Sequence, residues 1–149
     1  MAKKSTRGDL TTSKLLTMIR TAATFSEAIA IHDTMEEPSF SEFLYSLMSQ
    51  RGLTPKELIG LTRIERSYFY HILNGNKRPG RNMVLRIGLC LGSSLAEMNQ
   101  LLRLAGLSGL YARVRRDAVL IYAVQNHMSM DEANNLLRTS GELPLIAGK

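Results

Sequence analysis

The residues that could do chemistry crowd into "ERSYFYHILNGNKRPGR", residues 65–81. At ~100° per residue, the repeat of an α-helix, Phe69, Ile72 and Leu73 share one face. Ser67, Tyr70, His71 and Asn74 fall on the opposite face, and Arg66 stands in the first turn. An apolar face can hold such a helix to a scaffold. The polar face then presents hydrogen-bond formers outward, the layout needed to read base edges in a major groove. Arginine can pair with guanine O6 and N7, and a serine hydroxyl can donate or accept. The run ends at Asn74-Gly75 and continues into Lys77, Arg78 and Arg81.

Charge supports the same region. The chain of 149 residues has a formal net charge of +6. Residues 1–38 hold five basic and five acidic side chains, whereas 39–92 hold eight basic and three acidic. Nearly all the excess charge therefore lies around the polar helix, as on a phosphate-binding surface. Catalytic constellations are missing. His32, His71 and His127 have no metal-ligand spacing, and there is no Gly-rich phosphate loop, nucleophile elbow or metalloprotease motif. An enzyme, a cofactor, a metal site and a small-molecule ligand are not expected. The single cysteine, Cys90, lies in the apolar run "LRIGLCLG" and reads as a structural thiol. No apolar run approaches a membrane span and no secretory signal is visible, so a cytoplasmic, nucleoid-associated protein is expected.

The elements that must position these residues are helical throughout. Capping boxes, a Ser or Thr with Glu three residues on, mark starts at Thr24/Glu27, Ser39/Glu42, Thr54/Glu57, Ser94/Glu97 and Ser129/Glu132. Pro55 suits a first helical position. Gly52, Gly75, Gly92, Gly106 and Gly141 mark stops. The periodicity predicts helices over 12–22, 25–33, 40–50, 55–61, 65–74, 81–91, 95–105, about 111–126 and 130–139. The ends, 1–10 and 142–149, are expected to be mobile. "ARVRRDAV", 112–119, is expected to supply a structural Arg–Asp pair and a solvated face, or else a second phosphate or partner contact.

Residues 55–74 thus read helix, tight turn, helix. The stretch from "SFSEFLYSLMSQRGLTPKELIG" to "ILNGNKRPGRNMVLRIGLCLG" resembles the five-helix DNA-binding domain of the phage lambda repressor/Cro type, the Xre-like regulators. "SSLAEMNQLLRLAGL" resembles that family's fifth helix, and "LYARVRRDAVLIYAVQNHMSMDEANNLLRTSGELPL" resembles the C-terminal part of a bacterial subgroup. The resemblance implies an all-α fold, with an N-terminal helical arm over 1–38, the helix-turn-helix domain over 39–106 and a C-terminal helical extension over 107–149 packed on the core. It places base contacts on Arg66 and Ser67, with Tyr70 and His71 further along. It places phosphate contacts on Thr54, Lys56, Asn74, Asn76, Lys77, Arg78 and Arg81.

Three positions depart from the family's pattern. Pro55 stands where the family often has Gln, which buttresses the second helix and touches phosphate. Arg63 replaces the turn glycine and must take a conformation that glycine adopts more easily. Ile59 replaces a small alanine between the two helices. The expectation is a transcriptional regulator, a repressor by analogy, that binds double-stranded operator DNA as a homodimer. The competing expectation is a helix-turn-helix scaffold that serves as a protein–protein adaptor. Pro55 and the bulky Tyr68–Tyr70 run motivate it.

Overall fold

The computed structural model describes residues 12–34 and 37–147, so the expected mobility of 1–10 lies outside the described residues. Among the described residues the protein is all-α, with nine helices and no strand. The chain divides after Pro38 into two units.

The first unit is a pair of short helices, α1 (Thr12–Arg20) and α2 (Phe25–Thr34), packed on one another. Leu15, Ile19, Ala22, Ala28 and Ile31 are its most sheltered side chains, whereas Leu16, Phe25 and Ile29 are exposed. The start of α2 carries the expected Thr24 cap. The Glu27 N–H donates to Thr24 Oγ1 at 3.1 Å, and Glu27 Oε1 accepts from Ala23 N–H.

The second unit holds α3 (Phe40–Arg51), α4 (Pro55–Thr62), α5 (Arg66–Leu73), α6 (Arg81–Leu91), α7 (Leu95–Leu104), α8 (Arg115–Gln125) and α9 (Met130–Thr139). Ser39/Glu42, Thr54/Glu57, Ser94/Glu97 and Ser129/Glu132 all form reciprocal capping boxes at the starts of α3, α4, α7 and α9. Each box satisfies two of the backbone donors that a helix start leaves without partners. One core unites the unit. Leu44 and Leu47 of α3, Leu58 of α4, Phe69 and Ile72 of α5 and Leu85 and Ile87 of α6 lie in it with Leu101 of α7, Leu120 of α8 and Leu137 of α9. Helix α6 is central and touches α3, α4, α7 and α9. Its Gly88 permits the close approach of α7, because a Cβ there would run into the Met98 thioether.

Four polar ties fix the joints. Arg51 at the end of α3 pairs with Glu97 at the start of α7 at 2.6 Å. Arg86 of α6 donates to the Thr62 carbonyl at 2.7 Å and the Arg63 carbonyl at 2.9 Å, which caps the C-terminus of α4 with a cation. Arg81 at the start of α6 donates to the Ser108 carbonyl and pairs with the buried Asp117 at 3.0 Å. Asp117 Oδ2 also accepts from Tyr111 N–H at 3.0 Å.

That last contact explains a boundary. The predicted helix over 111–126 begins only at Arg115, because Asp117 holds Tyr111 N–H, Arg81 and Asn99 hold residues 108–110 in a loop, and Val114 has an extended backbone. The "RRD" run does supply an Arg–Asp pair, but its arginine is Arg81 from α6. Arg115 and Arg116 turn to the C-terminal tail instead, on the carbonyls of Ser140 and Leu143. The expectation of a mobile 142–149 is corrected for 142–147. Leu145 is buried, and Asn134 Oδ1 accepts from its N–H.

Candidate nucleic-acid interface

Helix α5 is anchored as its periodicity requires. Phe69, Ile72 and Leu73 are buried, with Phe69 at 0% exposure. The turn before it, residues 63–65, is pinned from three sides. Ile64 is buried in the core. Its N–H donates to Thr62 Oγ1, and that hydroxyl donates to the Leu58 carbonyl at 2.8 Å. Arg63 takes the left-handed conformation that the sequence demanded of a non-glycine, with φ 57° and ψ 31°. Its guanidinium reaches Asp131 at the start of α9 at 2.5 Å. Ile59 fits the helix contact, partly buried against the core.

The outward strip of α5 gathers the base-reading candidates. Arg66, Ser67, Tyr70, His71 and Asn74 line one open surface depression of about 440 Å³, together with Glu65. Arg66, Ser67 and His71 are exposed, and Tyr70 is partly buried. The Arg66 guanidinium sits 5.4 Å from the centre of the Tyr70 ring. A cation over an aromatic face is attracted by the ring quadrupole, which limits how far the arginine wanders.

The phosphate candidates separate into two groups. Lys56, Asn74, Asn76, Lys77 and Arg78 are exposed. No ion pair among the described residues holds Lys56, Lys77 or Arg78. The backbone of Asn76 and Lys77 folds back onto the His71 carbonyl at 2.9 and 3.2 Å, so the loop is tied directly to the end of α5. Arg81 and Thr54 are otherwise engaged. Arg81 is held by Asp117 and the Ser108 and Gly109 carbonyls. The Thr54 hydroxyl accepts from Glu57 N–H, and Thr54 N–H donates to Glu57. Because Pro55 lacks an N–H, the Lys56 amide is the donor left in the first turn of α4.

The same sorting applies to the basic cluster as a whole. Of its eight cations, Arg51, Arg63, Arg81 and Arg86 are engaged by other groups of the fold, Arg63 only through an exposed pair. Burial beside Arg63 lowers the pKa of Arg86 from its ordinary value. Burial also pushes the Cys90 thiol up to about 11, and its Sγ lies 3.9 Å from Met130 Sδ, so the thiol is structural. Lys56, Arg66, Lys77 and Arg78 are exposed, with Arg66 over the Tyr70 ring and the Arg78 guanidinium beside Gly106.

One residue of the strip escaped the sequence reading. Glu65 caps α5, its Oε1 accepting from Tyr68 N–H at 2.9 Å. No Ser or Thr stands at this start, so the capping-box pattern passes over it. The visible signal was a carboxylate immediately before Arg66.

Among the described residues no group of three or more His, Cys, Asp or Glu could hold a metal ion, and no helix is long and apolar enough to cross a membrane. No family model, curated protein or solved structure matches this chain.

Proposed function

We propose that the protein is a sequence-specific DNA-binding transcriptional regulator of the lambda repressor/Cro type, which inserts α5 into the major groove and acts as a homodimer on an operator. The observation that carries this reading is the open strip of α5. Five hydrogen-bonding side chains, Arg66, Ser67, Tyr70, His71 and Asn74, share one solvent-facing surface, while the opposite face of the same helix is fully anchored. Rigid presentation of polar groups from a helix suits base readout. Lys77 and Arg78, exposed on a loop bonded to the end of α5, are the cations this reading assigns to the phosphate backbone.

An adaptor that grips another protein is the second reading. It draws on the start of α4, where Pro55 and the capping box leave a single amide for a phosphate.

Selection from a random duplex library separates the two. The DNA reading predicts a discrete enriched motif, and Arg66→Ala should relax preference at one position of it. An unenriched library would leave the adaptor reading standing.

A further inference from the structure

We infer that Glu65 is a specificity determinant that selects a cytosine beside the guanine read by Arg66. The inference rests on the DNA-binding reading of α5 and names the sequence element it takes. Glu65 is exposed and lines the same depression as Arg66, Ser67, Tyr70, His71 and Asn74. Its carboxylate is positioned by the fold, because Oε1 accepts from Tyr68 N–H at 2.9 Å. No ion pair among the described residues engages it. One oxygen caps the helix, and Oε2 has no hydrogen bond among the described residues and is left as an acceptor on a residue that lines the strip.

A carboxylate on a DNA-reading surface has narrow use. It repels phosphates, so it weakens binding to an arbitrary duplex. It accepts only, and in the major groove the matching donors are exocyclic amines, with cytosine N4 its usual partner. Arg66 is the complement, a donor-only group whose best partner is guanine. The two residues are consecutive. Both line the one depression at the start of α5, so an acceptor and a donor there would meet neighbouring base pairs, a cytosine beside a guanine. The Arg66 guanidinium lies 5.4 Å from the centre of the Tyr70 ring and makes no ion pair with Glu65 among the described residues.

The test is library selection with the full chain carrying Glu65→Gln or Glu65→Ser. Either side chain still offers an oxygen to Tyr68 N–H, so α5 keeps its cap. In the Gln variant the free atom becomes an NH2 donor, and in the Ser variant nothing reaches the base. The expected result is a wild-type motif with a cytosine adjacent to the Arg66 guanine. The preference for that cytosine falls about tenfold in both variants, and the Gln variant shifts it to a base presenting an acceptor. Affinity for random duplex holds or rises. A wild-type motif without that cytosine, or variants that keep it, would overturn the inference while leaving the DNA reading intact. Absence of any wild-type motif would remove both.

Discussion

Arg63 carries the sharpest residue-level conflict between sequence and conformation. It adopts φ 57°, a region where a side chain costs about 1–2 kcal/mol. Its ion pair with Asp131 lies between side chains 51% and 70% exposed, and such pairs contribute little. Relief of strain and loss of the pair therefore oppose each other, and glycine adds unfolded-chain entropy. Arg63→Gly should shift unfolding free energy by less than about 1 kcal/mol in urea titration. A loss well beyond that would show that the Asp131 contact, and not the backbone, holds the turn. The strain at Arg63 was legible from the missing turn glycine, but its partner was not. Asp131 lies 68 positions away, and no local pattern joins the two.

The joints between elements show where reading a sequence runs out. Starts and stops of helices are local physics, so Ser39, Thr54, Ser94 and Ser129 cap where the pattern put them. Asp117 is different. From the sequence it belongs to an arginine-rich run, yet it is 5% exposed and bonds Arg81 and Tyr111 N–H. Removing the carboxylate strands the Tyr111 N–H and takes the counter-charge from Arg81, which keeps the Ser108 and Gly109 carbonyls, so Asp117→Ala should destabilise by roughly 2–3 kcal/mol in chemical denaturation. Asp117→Asn, which keeps an acceptor, should cost less. A second joint makes stability depend on pH. Burial by itself would raise the pKa of Glu97, but the Ser94 N–H and Arg51 outweigh it and the net direction is down. A folded value below the unfolded one means stability present above the ordinary carboxylate range and lost as pH falls through the folded pKa. Glu97→Gln should thus be less stable than the wild type at pH 7. The gap should narrow as pH falls below the ordinary carboxylate range and close once pH passes the lowered folded pKa in urea melts, and a gap independent of pH would refute the assignment.

For the whole molecule, the +6 charge overstates the surface that could meet DNA. The sequence alone makes residues 39–92 look uniformly basic, because it cannot show which cations face inward. Arg51, Arg81 and Arg86 close joints within the fold, and Lys56, Lys77 and Arg78 are the cations left for phosphates around the strip. Three phosphate contacts per protomer give log K against log salt a slope of about −2.7, twice that for a dimer. Lys77→Ala should flatten the slope by about one per protomer and weaken all sequences alike. The candidate strip itself was largely legible, because helical spacing alone brings Arg66, Ser67, Tyr70, His71 and Asn74 together. Thr54 and Arg81 were not separable from the exposed candidates, since their partners come from folding. The most direct test of the central claim is the affinity of the full chain for its best selected duplex against a scrambled duplex of equal length, at physiological salt. The account predicts a ratio of about 10³ or more, largely lost in Arg66→Ala. Equal affinity for the two duplexes would contradict it.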